Sequence, residues 1–252
     1  MIEVKNVDKS FDGNQVLKNV SAVFDTGKTN MIIGQSGSGK TVLMKSIIGL
    51  HRIDKGQIKY DGRNLPDMHM GEIRILRREV GMLFQGSALF DSLSVLENVM
   101  YPLEMFADST REEMIDRARF CLQHVNLEEK AFGLAPSEIS GGMQKRVAIA
   151  RAIALQPKYL FCDEPNSGLD PKTSLIIDQL IHEITHEFDI TTIINSHDMN
   201  SVMEIGENII FIENGEKAWQ GNKDDIFHVD NEALNSFVFA SKLYKQVKKA
   251  NQ

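Results

Sequence analysis

The chain contains little cysteine, no excess of basic charge and no long apolar run, and each shortage argues against a class of protein. Its 252 residues include two cysteines, Cys121 and Cys162, with neither a CxxC pair nor the Cys/His spacing of a zinc site. We therefore expect two buried, reduced thiols. Lys and Arg number 28 against 35 Asp and Glu, a formal net charge of -7. This acidic balance argues against broad nucleic-acid binding, which requires a basic surface.

A segment that could cross a membrane is also missing from the sequence. No apolar run reaches the roughly 18 residues that a transmembrane helix needs. The stretch Met1–Lys5 lacks the basic and apolar character of a signal peptide. Hydrophobic residues make up 42% and charged residues 25% of the chain, as in a globular protein with a sizeable core. We expect such a protein to reach a membrane only through a partner.

Apolar strand patterns alternate with helical patterns along most of the chain. Strands are predicted at residues 2–7, 20–24, 29–33, 80–84, 159–162, 190–194 and 209–212. Helices are predicted after Thr41 and at 112–125, 141–155, 174–188 and 231–249. The alternation predicts an α/β fold with helices on both faces of a sheet. Within a domain of residues 1–230, the helix-only stretch at about 88–155 predicts an inserted lobe, and 231–252 a C-terminal helical extension.

A glycine-rich loop follows the predicted strand at 29–33. It reads Gly34, Gln35, Ser36, Gly37, Ser38, Gly39, Lys40 and Thr41, the spacing of a phosphate-binding P-loop. Its glycines let backbone N–H groups turn toward phosphate oxygens, its lysine supplies a positive charge, and its threonine offers a hydroxyl to Mg²⁺. A strand before the loop and a helix after it are the context that this motif requires.

Polar side chains follow three further predicted strands. Gln85, the pair Asp163 and Glu164, and His197 each come at or just after a strand end. Because open α/β sheets gather ligand-binding groups at the carboxyl ends of strands, we expect these side chains to serve one site. Carboxylates there can hold a Mg²⁺-bound water and orient or deprotonate the attacking water. Taken alone, the acidic pair also fits a solvated strand end, and the histidine an ordinary surface or core residue.

Two further features have a functional and an ordinary interpretation. A predicted helix begins at Ser140, Gly141 and Gly142, where a serine N-cap and two glycines expose N–H donors at the positive end of the helix. The same residues also fit an ordinary capped helix without a ligand. Phe11 precedes the P-loop and could stack on adenine, or it could be a buried loop residue.

Together these motifs resemble the nucleotide-binding subunit of ABC transporters, over nearly the whole chain. In order, the matching parts are an adenine-stacking aromatic (Phe11), Walker A (34–41), a Q-loop (Gln85), the signature loop (140–144), Walker B (159–163, then Glu164), a D-loop (167–170) and a switch histidine (His197). The resemblance implies a P-loop NTPase core of the RecA-like kind, an antiparallel β subdomain and an inserted α-helical lobe.

The resemblance also implies the cofactors and partners. It implies ATP and Mg²⁺, with Lys40 on the phosphates, Thr41, Gln85 and Asp163 serving Mg²⁺, Glu164 as the base and His197 on the γ-phosphate. It further implies a head-to-tail homodimer in which Ser140 and Gly142 act on the partner's ATP. An integral membrane permease and a position on the cytoplasmic, inner face of the cell membrane follow, without any nucleic acid.

A narrower resemblance depends on Met143, which stands where the usual signature has glutamine. Ser-Gly-Gly-Met at 140–143, the stretch 81–90 and its continuation to Leu103 are similar to the ATPases of Mla-type lipid transporters. This implies phospholipid trafficking with a lipid-binding substrate protein. The alternative is an importer of a small polar solute such as an amino acid.

Two less favoured alternatives lie outside transport. A DNA-repair or ribosome-associated relative is disfavoured by the short segment 86–139, by the presence of a single cassette and by the acidic net charge. A scaffold protein with an inactive nucleotide site is disfavoured because the catalytic positions are intact. We also expect a set of apolar residues near the lobe to form a groove that binds the permease. Burial of these residues in the core is an equally favoured alternative. The set is Leu89, Phe90, Leu93, Val99, Tyr101 and Leu103.

Overall fold

The computed structural model of the chain describes residues 1–239. In chain order the strands and helices are β1 (Ile2–Phe11), β2 (Asn14–Phe24), β3 (Thr29–Ile33), α1 (Lys40–Ile47), β4 (Lys55–Tyr60), β5 (Arg63–Asn64), α2 (Met70–Arg78), β6 (Val80–Leu83), α3 (Val95–Phe106), α4 (Arg111–His124), α5 (Gly141–Ile153), β7 (Tyr159–Asp163), α6 (Pro171–Glu187), β8 (Thr191–Asn195), α7 (Met199–Ile205), β9 (Asn208–Glu213), β10 (Glu216–Gly221) and α8 (Glu232–Val238).

The chain forms two compact units. The first unit contains Met1–His69 and the chain from Thr191 onward, and the second unit is Met70–Ile190. The predicted boundaries at 88, 155 and 230 come from sequence patterns and not from compactness, so they stay a prediction.

The first unit contains an antiparallel sheet with the strand order β2-β1-β4-β5. A two-residue turn joins β4 to β5, with φ of 46° at Asp61 and 85° at Gly62. Both residues are of the kind that tolerates positive φ, which such a hairpin turn needs. Ile2, Phe24 and Tyr60 are fully buried and anchor the sheet in the core.

The first unit also carries the strands β10, β9, β3 and β8, which lie side by side in that order. β3 is parallel to both β8 and β9, and all five of its residues are buried. Burial of all five residues, with Met31, Ile32 and Ile33 as the apolar part, is typical of a strand in a parallel sheet covered on both faces. Because Ile32 of β3 aligns with Asn195 of β8, the two strands end at the same edge.

The second unit contains the parallel pair β6 and β7 and most of the helices. Leu83 aligns with Cys162, so these two strands also end side by side. The capping serine of α3, Ser94, forms a reciprocal capping box with Glu97. Asp170 accepts hydrogen bonds from the first-turn amides of α6, which begins with Pro171. These local signals determine where the helices start.

Several expectations meet a definite outcome in the described residues. Cys121 and Cys162 are buried and unpaired, as expected, and burial raises the pKa of the Cys121 thiol to about 11. Of the proposed groove, Val99 and Leu103 are buried in the core of the second unit, so their assignment to a surface groove is wrong. They share one face of α3 with Val95, at a spacing of four residues.

The strands and helices differ from the predicted ones mainly in length. β1 and β2 are longer than predicted, and the pattern missed α2, α7 and β10. Of the predicted helix at 231–249, the structure shows α8, which ends at Val238, and residues 240–249 lie outside the described residues. Within residues 1–239, none of the helices combines the length and the apolar character that spanning a membrane requires.

Candidate nucleotide site

The P-loop connects β3 to α1 in the first unit, and two of its glycines are required by close contacts. A Cβ on Gly34, whose φ is 148°, would lie 2.2 Å from the backbone oxygen of Ile212. Gly39 has a φ of 107° and would bring a Cβ to 3.1 Å from Leu17 Cδ2. By contrast, Gly37 has a φ of 80° and open space around it. The loop is therefore fixed at both ends and open in its middle.

Lys40 and Ser38 supply the loop's polar interior. The buried Lys40 ammonium donates to the carbonyl oxygens of Gly34 and Gln35, at 2.8 and 2.9 Å. The hydroxyl oxygen of Ser38 is buried and has no hydrogen-bond partner among the described residues. A buried hydroxyl without a protein partner inside a glycine-rich loop is suited to bind an anion such as phosphate. The residues present therefore match the ligand that the motif predicts.

The neighbouring strand β8 brings further polar groups to the same edge. Asn195, the last residue of β8, donates from its side-chain nitrogen to the hydroxyl of Thr41 at 3.3 Å. His197 follows two residues later and is exposed, just before Asp198 caps α7. Because β3 and β8 are adjacent and parallel, the P-loop and His197 both extend from the carboxyl edge, as expected for these two.

The second unit groups Gln85 and the acidic pair in the same way. Gln85 follows β6, and Asp163 and Glu164 come at the end of the adjacent β7. The side-chain nitrogen of Gln85 donates to the hydroxyl of Ser167 at 3.1 Å. The backbone N–H of Ser167 donates in turn to the carbonyl oxygen of Glu164 at 3.1 Å. These contacts connect the predicted Q-loop to the residue after Walker B through the predicted D-loop.

Glu164 has an unusual backbone conformation. Its φ is 48°, in the left-handed region that a glutamate seldom adopts. Such strain is maintained where the surrounding structure requires it, and it is common at functional sites. Both Asp163 and Glu164 are half-buried. A strained backbone at Glu164, just after a strand end, suits a side-chain carboxylate that must be held in one position.

Ser140 caps α5, the helix of the predicted signature loop. Its exposed hydroxyl accepts a hydrogen bond from the N–H of Met143 at 3.3 Å. A Cβ on Gly142 would lie 2.8 Å from Cγ2 of Thr173, so glycine permits the close approach to α6. The helix therefore begins with a cap and two glycines, as predicted, and its N-terminus can attract an anion.

Phe11 is the last residue of β1 and is exposed, so its interpretation as a buried loop residue is wrong. Its ring makes an edge contact with His51, at 5.1 Å between centroids. Lys9 Nζ lies 4.8 Å from the Phe11 ring centroid and 3.1 Å from Asp54 Oδ1. These contacts hold an exposed ring in a defined position, which suits stacking on a flat ligand.

A buried strand, a glycine-rich loop with a caged lysine and a helix define a P-loop nucleoside-triphosphatase. The sequence profile of the family described as "ABC transporter" matches residues 17–167, more than half of the chain. The chain therefore belongs to the ABC transporter family, as an ATP-binding subunit with ATPase activity.

Individual relatives and solved structures agree with this family. The methionine import ATP-binding protein MetN of Clostridium tetani is 38% identical over 227 residues, covering 90% of this chain and 71% of that protein. The probable ribonucleotide transport ATP-binding protein mkl of Mycobacterium leprae is 35% identical over 239 residues, covering 94% and 68%. The dimeric, post-hydrolysis structure of the ATP-binding cassette MJ0796 bound to ADP and Pi has a TM-score of 0.79 at 34% identity, covering 88% and 99%.

These comparisons confirm the predicted fold class and correct the narrower resemblance. The fold is that of the ABC ATPases, with a P-loop NTPase core, an antiparallel β part and helices. The relative from Clostridium tetani is named for methionine import, so the resemblance to Mla-type lipid ATPases is not supported. The alternative of an amino acid importer agrees better with these relatives.

Sequence reasoning missed Asn195 and Lys145 as parts of the site's support. In the sequence, nothing distinguishes Asn195 from any other polar residue at the end of a strand. Its contact with Thr41 depends on the register of β3 and β8. Lys145 looked like an ordinary polar position on α5, yet it is buried. The one available signal was its place in the signature helix.

Proposed function

We propose that this chain is the ATPase of an importer for a small polar solute of the amino acid kind. The observation that carries the ATPase part is the caged P-loop, in which Lys40 is held by two carbonyls and Ser38 has an unused buried hydroxyl. The cargo part is supported by the MetN relative, of which this chain covers 71%. Because mkl, named for ribonucleotide transport, is nearly as similar, identity alone is a weak guide to cargo.

Each predicted site residue receives a role in this proposal. The amides of 34–41 and Lys40 hold the phosphates of ATP, and Phe11 stacks on the base. Thr41, Gln85 and Asp163 serve Mg²⁺, for which hydroxyl and carboxylate oxygens are suitable ligands. Glu164 is the base that activates water, and His197 contacts the γ-phosphate.

The proposal also requires two copies of the chain. Ser140 and Gly142 stand at an exposed helix N-terminus and would complete the ATP site of the partner subunit. The solved cassette MJ0796 was described as a dimer with ADP and Pi, which supports this arrangement. Ser140→Ala should therefore lower ATP turnover and ATP-dependent dimerisation while ATP binding to each monomer persists. Full turnover by a monomeric enzyme would contradict the pairing.

The membrane partner is proposed to be a permease, which would place the chain at the cytoplasmic, inner face of the cell membrane. Phe90 and Tyr101 are exposed, with ring centroids 4.6 Å apart, and Leu89 and Leu93 are half-buried near them in sequence. We propose this remaining apolar patch as the permease contact. Exposed aromatic pairs of this kind are frequent anchors of protein interfaces.

The patch can be tested with a matched pair of variants. Phe90→Glu should abolish permease capture from detergent-solubilised membranes without changing the melting temperature. Phe120→Glu, at another exposed aromatic of the second unit, should retain capture. Equal capture by both variants would refute the patch.

A second cargo, phospholipid, is favoured by one feature, the Met143 that follows Ser-Gly-Gly. The two candidates differ in the partners that they require. A tagged chain should bring down a permease together with a solute-binding protein if the cargo is a polar solute. A permease with a lipid-binding protein would instead support phospholipid trafficking and overturn the amino acid assignment.

A further inference from the structure

A buried lysine connects the signature helix to the Q-loop within the second unit. Lys145, on the second turn of α5, is 4% exposed, and its ammonium donates to the backbone carbonyl oxygen of Gln85. Burial lowers the pKa of Lys145, while the nearby Cys162 opposes that shift. Burying an ammonium group costs free energy, so we expect the contact of Lys145 with the Gln85 carbonyl to have a role.

A second cation from the same helix holds the next part of the loop. Arg151 donates to the carbonyl oxygens of Ser87 and Ala88, at 2.7 Å each. These two residues have φ values of 62° and 49°, in the left-handed region that non-glycine residues avoid. The loop from 85 to 88 is therefore held in a strained conformation by two cations of α5.

The Gln85 backbone that Lys145 holds also bears the side chain that reaches the D-loop. Gln85 donates to Ser167 at 3.1 Å, and the N–H of Ser167 donates to the carbonyl oxygen of Glu164 at 3.1 Å. A continuous path thus leads from Lys145 through Gln85 and Ser167 to Glu164. Each step is a hydrogen bond between described residues of one unit.

We propose that Lys145 is a positioning residue, which fixes the Gln85 backbone so that the Gln85 side chain and, through Ser167, Glu164 keep their catalytic placement. This inference rests on the proposed roles of Gln85 and Glu164. Lys145 does not touch the reacting groups itself. Its removal should affect the chemical step more than ATP affinity, because ATP is held by the P-loop of the first unit.

A purely structural lysine would behave differently from a positioning one. Lys145→Met keeps most of the length of the side chain and removes both the buried charge and the donor to the Gln85 carbonyl. If Lys145 only filled space, this variant would fold and hydrolyse ATP normally. If it positions Gln85, the variant folds but the loop loosens.

The test measures steady-state ATPase activity and amide hydrogen exchange on the full chain. For Lys145→Met we expect kcat to fall roughly 3- to 30-fold, the range of coupling through such networks, with KM for ATP unchanged. Without nucleotide, the amides of Ser87, Ala88 and Ser167 should exchange faster than in the wild type. Lys145→Arg, which keeps a cationic donor, should restore kcat and slow the exchange.

The matched control is Lys130→Met, the same chemical change at an exposed lysine of the second unit that pairs with Glu128. It should leave kcat and exchange unchanged. If Lys145→Met does not fold, Lys145→Leu replaces it, because leucine also has no group that can donate to the Gln85 carbonyl.

The outcomes separate this inference from the proposed function. Wild-type kcat or wild-type exchange in the folded Lys145 variant would overturn the positioning role. A raised KM with unchanged kcat would do the same. Failure of the wild type and the Lys130→Met control to hydrolyse ATP would instead overturn the catalytic roles of Gln85 and Glu164.

Discussion

Replacing Ser38 with alanine should have opposite effects on the empty protein and on ATP binding. The Ser38 hydroxyl is buried in the P-loop and lacks a hydrogen-bond partner among residues 1–239. In the protein without nucleotide, this hydroxyl is desolvated and gains nothing in return. If the P-loop binds phosphate, the same hydroxyl can donate to a charged oxygen.

The two effects can be given approximate sizes. An unsatisfied buried polar group costs about 1–3 kcal/mol, so Ser38→Ala should leave the free energy of unfolding unchanged or raise it by about 1 kcal/mol. A hydrogen bond to a charged group contributes about 1.5–3 kcal/mol, so the dissociation constant for ATP should rise roughly 10- to 100-fold. With ATP in large excess, a tenfold loss of affinity reduces the ATP-induced rise in Tm by about 3–6 °C.

Thermal unfolding with and without ATP and Mg²⁺ measures both effects in one assay. Ser46 provides the matched control, since its hydroxyl is also buried and has no partner in the described part of the chain, but it lies within α1 behind the loop. Ser46→Ala should match Ser38→Ala in the absence of nucleotide and retain the full ATP shift. A Ser38→Ala protein that melts lower without ATP and keeps the wild-type shift would refute the reasoning.

Three further predictions concern other parts of the two units. Glu164→Gln should bind ATP and release almost no phosphate, and ordinary turnover would remove Glu164 as the base. Gly34→Ala should lose about 1–3 kcal/mol of stability because its Cβ would lie 2.2 Å from a backbone oxygen, whereas Gly37→Ala, with open space around it, should lose less; chemical denaturation compares them. The hydrogen bonds from Ser94 lower the pKa of Glu97, so its contribution to stability is present above the ordinary glutamate value and is lost as pH falls through the lowered one. Glu97→Gln should accordingly flatten the acid limb of the stability profile, and an unchanged limb would contradict this.

The P-loop could be predicted from sequence because its geometry is local. The glycines, Lys40 and the flanking strand and helix all lie within residues 29–47, and each has a conformational reason to stand where it does. The cap on α5 was predictable for the same reason, because Ser140 and Met143 are neighbours in the chain. Short-range physical chemistry was sufficient at both places.

Contacts between distant segments could not be predicted in this way. The hydrogen bond from Asn195 to Thr41 joins residues 154 positions apart and depends on the register of two strands. The proposed groove was partly wrong because apolarity alone does not distinguish the inward face of α3, with Val99 and Leu103, from its exposed Tyr101. Helical phase, known only after the helix is placed, decides between them.

In both loops a buried lysine binds backbone carbonyl oxygens. Lys40 is bound to the carbonyls of Gly34 and Gln35, and Lys145 to the carbonyl of Gln85, so a buried ammonium satisfies loop carbonyls in each unit. The two lysines should nevertheless respond differently to removal. If Lys40 gives up part of its carbonyl contacts to hold phosphate, its loss weakens ATP binding itself. If Lys145 keeps its contact with the Gln85 carbonyl when ATP binds, its loss should lower kcat at unchanged KM. The same substitution to methionine at the two positions therefore distinguishes a ligand-binding lysine from one that holds a loop in shape.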